Sequence, residues 1–344
     1  PSEDPETGGL AHTNILGNTL FGSLSGSSVA ASVAIGGVLI PMEEKEGYDK
    51  KFAAAVNIAS APTGLIIPPS GILIIYPVLA GCSVVGMIMS GYIPGLMWAL
   101  ACMVVAYVIA KKNHYPTAGK VPASVFFKYF VDAIPSLLLI VIIVGGVMSG
   151  IFTATESAAV AVAYTLFLSI VVYRSIKIKD LPKILLDACE TTAVIMFLIA
   201  GSNVMSFVMS FTGLPSAIGN ALISVSSNKY VILLIINLVL LVVGCFMDIT
   251  PAVLIFTPIF LPVVQSFGMD PIHFGIMMVM NLGIGNITPP VGSALFSGCS
   301  VADMDMEDMI KPILPFYAAI FVALMLVAYV PWFSMALPTL FGAV

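Results

Sequence analysis

The sequence has little charge. Of its 344 residues only 9% are Asp, Glu, Lys or Arg, whereas 59% are apolar. A soluble domain carries about 25% charged residues, so the composition excludes an ordinary soluble protein. Arginine occurs once, as Arg174, so any anion bound elsewhere must be held by other groups. We expect a lipid bilayer around the chain and no nucleic-acid partner.

Cysteine and histidine are also scarce. The five cysteines form no CxxC pair and lie in or beside apolar stretches, which indicates packing residues and not metal ligands or disulfides. The three histidines are scattered along the chain. We also expect no enzyme activity and no organic cofactor. The sequence begins at Pro1 without an initiator Met or a signal peptide, which suggests a fragment of a longer protein.

Long apolar stretches dominate what remains, and most are near the ~20 residues that a spanning helix needs. This predicts an all-α polytopic membrane protein. Its ordinary spans are predicted at residues 86–110, 134–150, 157–173, 190–212 and 313–342. The stretches 9–40 and 230–262 have polar centres, and each is either two spans or one re-entrant hairpin. The stretches 52–80 and 273–299 are each interrupted by a proline pair, which a regular helix cannot contain.

The placement of lysine favours the two hairpins. On that interpretation every basic residue except Lys229 lies on one side of the membrane. The positive-inside rule then assigns four loops to the cytoplasm: residues 41–51, 111–128, 174–183 and 300–311. The first hairpin enters from inside and the second from outside. Two short mixed segments, Phe126–Asp132 and Leu214–Asn228, are predicted to lie flat at the membrane surface. The "TATE" before residue 157 predicts a capping box.

An internal repeat relates the two proline breaks. A single shift without gaps places Gly64, Pro68, Pro69 and Gly71 on residues 285, 289, 290 and 292, with the same residue types. The lysine placement makes the copies opposite in orientation. Residues 1–110 then form the first inverted repeat, 111–228 a scaffold, and 229–344 the second repeat. Inverted repeats with broken helices are typical of secondary transporters, which bind substrate near the membrane midplane.

Polar groups concentrate at the hairpin tips and the breaks. Non-helical backbone at membrane depth is tolerated only where it is buried in protein or lines a cavity, and it frees carbonyl oxygens as ligands. We predict that each tip faces the break of its own repeat. The first repeat offers Ser25, Ser27, Ser28, Ser60, Thr63 and Gly64. The second offers Asp248, Thr250, Gly285, Asn286 and Thr288. Such oxygen-rich sets suit a hard cation, with Na⁺ the natural candidate.

Each of these residues also has a structural interpretation. Asp248 and Asn286 could cap helices, and Thr250 followed by Pro251 resembles an N-cap and first helical position. The serine cluster could serve close helix packing. We favour a site for Asp248, because an unpaired carboxylate at membrane depth costs several kcal/mol. The serine cluster and Asn286 are also favoured as ligands, whereas Thr250 is left open between the two roles.

The motifs "GSLSGSSVA", "IPMEEKEGYD", "GLIIPPS", "CFMDITPAVLIFTPIFLPVV" and "NLGIGNITPPVG" resemble the large membrane subunit (DctM type) of tripartite ATP-independent periplasmic (TRAP) transporters. The resemblance covers nearly the whole chain. It implies an elevator-type transport domain of two hairpins and two broken helices, which co-transports Na⁺ with an organic anion. Its sodium sites fall on the two sets just given. The candidate substrate contacts are Ser28, Pro69, Ser70, Thr250, Pro290 and Ser293.

The resemblance also implies a bacterial inner-membrane location and two partners. One is a small four-helix membrane subunit, separate or fused, and the other is a periplasmic substrate-binding protein. The substrate class includes sialic acid and C4-dicarboxylates. Family members have further spans before the first hairpin, and their absence here supports a fragment. The alternatives are a sodium–carboxylate symporter that needs no receptor and, remotely, an intramembrane protease.

Overall fold

The computed structural model describes residues 9–115, 123–146, 150–226 and 228–343, and these contain helices and no strands. The chain forms two compact units. The first comprises Pro1–Ala118 and Met209–Val344, and so contains both predicted repeats, while the second is Gly119–Val208.

The first unit contains most of the helices. In the first repeat they are α1 Gly9–Ser25, α2 Ser28–Lys45, α3 Lys50–Ser60, α4 Thr63–Ile66, α5 Ile72–Ala80, α6 Val84–Ser90 and α7 Tyr92–Lys112. The second unit contains α8 Ala123–Ile140, α9 Ala154–Phe167 and most of α10 Leu181–Thr212. The first unit continues with α11 Leu214–Val225, α12 Lys229–Phe246, α13 Ile249–Ser266, α14 Pro271–Asn286, α15 Ser293–Val301, α16 Met306–Tyr329 and α17 Trp332–Leu340.

The shift that aligns the proline pairs also relates the helix bounds. It carries the first residues of α2, α3 and α5 onto those of α13, α14 and α15, as Ser28 and Ile249 illustrate. The same shift relates the last residues of α2 and α13, Lys45 and Ser266. Both proline pairs, Pro68–Pro69 and Pro289–Pro290, lie in the gap between two half-helices, and both are joined by cis peptide bonds. The two copies therefore share one plan of hairpin and broken helix.

The two broken helices run in opposite directions. At one end, Lys51 Nζ at the start of α3 lies 2.6 Å from Asp308 Oδ1, just after the second broken helix. At the other end, the Tyr76 hydroxyl in α5 donates to the carbonyl of Pro271 at the start of α14, at 2.6 Å. Each broken helix therefore begins where the other finishes, which is the geometry of an inverted repeat.

Each hairpin divides its contacts between the two copies. The first limb packs on the broken helix of its own copy, α1 on α3 and α4, and α12 on α14. The second limb packs on the helix before the break of its own copy, α2 on α3 and α13 on α14. It also packs on the half-helix that follows the other copy's break, α2 on α15 and α13 on α5. Helices α3 and α14, which precede the breaks, are buried from Phe52 to Ser60 and from Ile272 to Asn286. Burial in protein is the condition under which interrupted backbone is tolerated in a membrane.

Glycine pairs set the closest of these contacts. A Cβ atom on Gly64 would lie 2.3 Å from the Cα atom of Gly22 on α1. In the second copy a Cβ atom on Gly285 would lie 2.4 Å from the carbonyl carbon of Gly244 on α12. Real Cβ atoms essentially never approach backbone so closely, so Gly64 and Gly285 accept only hydrogen as a side chain.

Six helices among the described residues are long and apolar enough to cross a membrane. Together with the all-helical fold, they confirm an all-α polytopic membrane protein. Helices α12 and α13 are two of the six, although they are the limbs of the second predicted hairpin. The hairpin limbs have 17 or 18 residues, about 27 Å at most. Both hairpins run beyond the predicted ends at residues 40 and 262, because α2 and α13 continue through Pro41 and Pro262.

Two other sequence predictions differ from the structure. The final span predicted at 313–342 is two helices, because Pro331 favours extended backbone at Val330, where α16 ends. The predicted surface segment Phe126–Asp132 is not a separate helix but part of α8. The other predicted surface segment forms α11, which packs on α13.

The second unit is a small helical assembly. Helices α8 and α9 are each followed by a π-helical turn, Val141–Gly145 and Leu168–Val172. The Tyr164 hydroxyl donates to the Pro135 carbonyl at 2.8 Å and joins α9 to α8. The capping box predicted from "TATE" is confirmed, with Thr153 and Glu156 bonded reciprocally at the start of α9.

Candidate functional site

The first hairpin tip lies against the break of its own repeat. Gly26 forms the turn between α1 and α2, and a Cβ atom there would lie 3.4 Å from the Gly71 nitrogen. Ser27 caps α2 by accepting from the Ala30 nitrogen at 3.2 Å. Ser25 is exposed, and its hydroxyl contacts only tip backbone among the described residues. The tip therefore presents backbone and one exposed hydroxyl to the break.

The hydroxyls that precede the first break are directed into their own helix. Ser60 and Thr63 are fully buried, and they donate to the carbonyls of Val56 and Ser60, both at 2.7 Å. In the part of the chain that is described, neither bonds to the tip serines, so the structure does not bring these predicted ligands into direct contact. Ser70 differs, because it is 1% exposed and its Oγ has no hydrogen-bond partner among the described residues. It is the uncommitted hydroxyl of this break.

The second tip carries the carboxylate. Asp248 is the N-cap residue of α13, but its exposed side chain makes no capping hydrogen bond. The capping interpretation therefore does not account for this carboxylate, which instead accepts from Ser293 Oγ at 3.2 Å. Thr250 is the second residue of the helix and Pro251 the third, so their interpretation as N-cap and first helical position is wrong.

The second break is tied to the second tip through backbone. The Val291 nitrogen donates to the Cys245 carbonyl at 3.2 Å, which places this tip on the break of its own repeat. Thr288 donates to the Ile284 carbonyl at 2.7 Å. Sequence reasoning missed Tyr317 on α16, whose hydroxyl donates to the Ile287 carbonyl inside the break. A lone tyrosine in an apolar span gives no signal of that contact.

Asn286 joins the two repeats. It is 2% exposed, its Nδ2 donates to Ser28 Oγ at 2.6 Å, and its Oδ1 accepts from Ser293 Oγ. Ser293 has one hydroxyl hydrogen and can donate to Asn286 or to Asp248, but not to both at once. We call Ser28, Asn286, Ser293 and Asp248 the inter-repeat chain. Both tips lie against the breaks of their own repeats, as predicted, and Ser28 of the first tip also bonds to the second break.

The two breaks are therefore chemically different. Positions 65 and 27 of the first repeat, equivalent to Asn286 and Asp248, are Leu65 and Ser27. The second break thus combines a carboxylate, an amide and hydroxyls, and the first has hydroxyls and freed carbonyls only. Among the described residues no three His, Cys, Asp or Glu side chains cluster as a metal site. Oxygen donors of this kind suit a hard monovalent or alkaline-earth cation and not a soft metal.

The remaining predicted residues flank these groups. Gly64 and Gly285 make the close glycine contacts of the hairpins, so the lack of a side chain at these positions is what allows the helices to approach. Pro69 and Thr250 are half-buried, and Pro290 is exposed.

Sequence reasoning also missed two buried amide pairs between hairpin and broken helix. Asn18 Nδ2 donates to Asn57 Oδ1 at 2.9 Å and Asn281 Nδ2 to Asn237 Oδ1 at 2.8 Å. Asparagines inside apolar runs were the available signal.

The hydrogen bond between Ser28 and Asn286 predicts non-additive mutations. Ser28→Ala and Asn286→Ala should each lower thermal stability, and the double variant should lose less than the sum. For partners in direct contact the coupling is about 0.5–3 kcal/mol. Thermal denaturation of the purified protein measures it. Ser23→Ala is the control, because Ser23 donates to Leu20 of its own helix. Additive losses for Ser28 and Asn286 would contradict the bond.

Antiparallel broken helices, held by two hairpins and lined by oxygen donors, define a membrane transporter. The chain belongs to the family "Tripartite ATP-independent periplasmic transporter, DctM component", whose profile matches residues 6–333. The family comprises permease subunits and not enzymes. Its large subunits work with a small membrane subunit and a periplasmic binding protein.

Three relatives illustrate the similarity. The chain is 51% identical over 336 residues to "Uncharacterized protein YgiK" of Salmonella typhimurium, covering 97% of this chain and 77% of that one. It is 38% identical over 335 residues to "Sialic acid TRAP transporter large permease protein SiaM" of Vibrio cholerae. It is equally similar, 38% over 335 residues, to "C4-dicarboxylate TRAP transporter large permease protein DctM" of Pseudomonas aeruginosa. Both alignments cover 97% of this chain and 78% of the relative.

Proposed function

We propose that this chain imports an organic anion together with Na⁺ across the bacterial inner membrane, by an elevator mechanism. A periplasmic binding protein delivers the anion, and a small four-helix membrane subunit, separate or fused, completes the transporter. The observation that carries the proposal is the inter-repeat chain. It links both hairpins to one break through side chains that offer a carboxylate, an amide and hydroxyls.

Sodium is favoured by the chemistry of the groups at both breaks. Asp248 is a carboxylate with no capping role and, within the described residues, no ion-pair partner. A bound cation would neutralise it at a depth where an unpaired charge is costly. The first break lacks a carboxylate, but the uncommitted Ser70 hydroxyl, the exposed Ser25 hydroxyl and freed carbonyls remain available. We therefore assign one sodium site to each break, with a negatively charged ligand at the second break and neutral ligands at the first.

The substrate class follows from what the first unit offers an anion. Its residues include no arginine, since Arg174 belongs to the second unit. Carboxylate recognition therefore relies on backbone amides, hydroxyls and bound sodium. The contacts we assign are Ser28, Pro69, Ser70, Thr250, Pro290 and Ser293. The relatives named for sialic acid and for C4-dicarboxylates suggest a substrate with one or two carboxylates.

The membrane potential supplies part of the driving force. Two Na⁺ ions entering with a monoanion move one net positive charge inward, which gains about 2.3 kcal/mol per 100 mV. A dianion with two Na⁺ moves no net charge. For a monoanionic substrate we therefore propose electrogenic uptake, observed as an inward positive current.

The elevator mechanism fits the division of contacts within the first unit. The hairpins and broken helices share one buried core, so they can move together without exposing the breaks. Helix α11 packs on α13, the second limb of the second hairpin, and is a suitable arm between moving and static parts. In this mechanism the inter-repeat chain keeps both tips on the same moving body.

Uptake by proteoliposomes that contain the complete transporter tests the proposal. Labelled sialic acid and C4-dicarboxylates are offered with and without a Na⁺ gradient, and with and without the periplasmic binding protein. We expect uptake only when both are present. Uptake without the binding protein would overturn receptor dependence and favour the stand-alone symporter. Uptake driven equally well without sodium would overturn the coupling.

A further inference from the structure

A second group of polar side chains is buried in the first repeat, between the first break and the far end of α2. It consists of Asn14 and Asn18 on α1, Glu43 on α2, and Asn57 and Ser60 on α3. All five are 0% exposed. We call them the amide–carboxyl cluster. Ser60 belongs to the first predicted sodium set, Asn18 and Asn57 form the first amide pair, and Glu43 is the only titratable member.

The cluster is continuous. Asn14 Nδ2 donates to Glu43 Oε2 at 3.3 Å, and Asn18 Nδ2 lies 2.9 Å from Asn14 Oδ1. The same Asn18 nitrogen lies 2.9 Å from Asn57 Oδ1 and 3.0 Å from Ser60 Oγ. Polar contacts therefore run from the end of α2, which lies within the range 41–51 predicted as a cytoplasmic loop, to the helix that precedes the first break.

Two oxygens of the cluster lack partners. Glu43 Oε1 and Asn18 Oδ1 are fully buried and accept no hydrogen bond from the described residues. The Glu43 side chain therefore accepts one hydrogen bond, the long one from Asn14, whereas a carboxylate can accept several hydrogen bonds. A buried carboxylate with so few donors is poorly stabilised as an anion, and the neutral acid is the favoured form.

No cation compensates Glu43 within the described residues. The helices that pack on α2 are α1, α3, α4 and α15. Their titratable groups are His12, Lys50, Lys51 and Cys299. Lys51 is paired with Asp308, and none of the four contributes to the shift in the Glu43 pKa. On α2 itself, Glu44 and Lys45 are exposed. Beyond α2, Tyr48 is the titratable side chain that interacts electrostatically with Glu43. The Tyr115 ring stacks on Tyr48, with the ring centroids 4.7 Å apart.

Glu43 lies outside the six candidate membrane spans, near the last turn of α2. Burial raises the pKa of its carboxyl to about 8, and the Asn14 bond only partly opposes the effect. The carboxyl is therefore protonated at neutral pH, and mild alkali removes the proton.

We propose that Glu43 is a proton-binding site that holds the first hairpin on its broken helix. The proton exchanges with water at the 41–51 loop, and only the O–H bond of the carboxyl forms or breaks. Loss of the proton leaves an uncompensated charge among α1, α2 and α3, which loosens their packing. Transport therefore slows as pH rises. The inference rests on the proposed function, because the packing it controls adjoins the first break.

The test uses proteoliposomes with the complete transporter, one fixed Na⁺ gradient, and equal pH on both sides. For one proton with a midpoint near 8, uptake should fall about tenfold between about pH 7 and about pH 9. Glu43→Gln mimics the neutral acid, and its uptake should not depend on pH in this range. Glu44→Gln is the control. Glu44 is the next residue in the chain and is exposed, so this variant should keep the wild-type pH profile.

A Glu43→Gln profile that falls as the wild type does would overturn the proposal, as would a flat wild-type profile. Failure of the proposed function is distinguishable, because sodium-dependent uptake would then be absent at every pH. Thermal denaturation gives an independent readout. The folded state binds this proton more tightly than the unfolded chain, so wild-type stability should decrease between about pH 4.5, the ordinary pKa of a glutamate, and about pH 8, and level off above that. Glu43→Gln should lose that slope.

If Glu43→Gln does not fold, wild-type protein decides the matter. A protonated carboxylic acid has its own infrared C=O stretch, which should be present at neutral pH and disappear with a midpoint near pH 8, where the stability loss levels off. A titration without such a band would overturn the assignment.

Discussion

Asp248→Ala should weaken sodium activation of uptake by about 10- to 100-fold, with the protein still folded. The carboxylate is exposed at the second tip, makes no capping bond and contacts Ser293 of the inter-repeat chain. Its removal takes away the one formal negative charge of the proposed sodium sites. Uptake measured against Na⁺ concentration gives the shift, and Asp248→Asn separates the contribution of charge from that of the oxygen ligand.

Asp305→Ala is the matched control. Asp305 is also an exposed aspartate at the N-cap of a helix, α16, and it too makes no capping bond. Its loss should leave sodium activation unchanged. If the two variants behave alike, the Asp248 effect belongs to helix ends in general, and our assignment of the second sodium site is wrong.

Gly64→Ala should cost about 3 kcal/mol of stability, the upper end of the range for overpacking. The added methyl group meets backbone of Gly22 and not a flexible side chain, so α1 and α4 must separate. Gly285→Ala should have a similar effect through Gly244 on α12. Thermal denaturation in detergent measures both losses, and size-exclusion chromatography shows whether folded protein is recovered.

Gly201→Ala provides the comparison within a helix. A Cβ atom at Gly201 would have no neighbour within 4 Å, and alanine is the better helix former. Its stability should stay the same or rise slightly. Wild-type stability in Gly64→Ala would show that the α1–α4 contact can relax, and the role given to the glycine pair would have to be abandoned.

Much of the fold could be predicted from the sequence because its signals are local. Proline pairs stop helices, glycines and serines mark tips, and one gapless shift aligns both copies together with their helix bounds. The limb lengths were less predictable, since Pro41 and Pro262 sit within helices that continue beyond them. A proline near a helix end indicates a boundary only in the absence of tertiary packing that supports the helix.

The residues of the candidate site could be predicted from the sequence, but the hydrogen bonds that join them could not. Asp248, Asn286 and Ser28 all followed from their polarity at membrane depth. That Asn286 bonds to Ser28 did not, because the two are 258 residues apart and belong to different repeats. Repeat logic alone pairs each tip with its own break, whereas the second limb of each hairpin packs on the other copy as well as on its own. Long-range packing of that kind leaves no local pattern in the sequence.

The exchange of contacts between the copies has a consequence for how such a chain can arise. A single copy leaves one face of its second limb and one half-helix without their partners, and a second copy in reverse orientation supplies both. The fold thus resembles the reciprocal interface of a homodimer, enclosed within one polypeptide. Fusion releases the halves from having to be identical. One copy could therefore acquire a carboxylate and an amide while the other kept serine and leucine, which symmetry forbids in a homodimer.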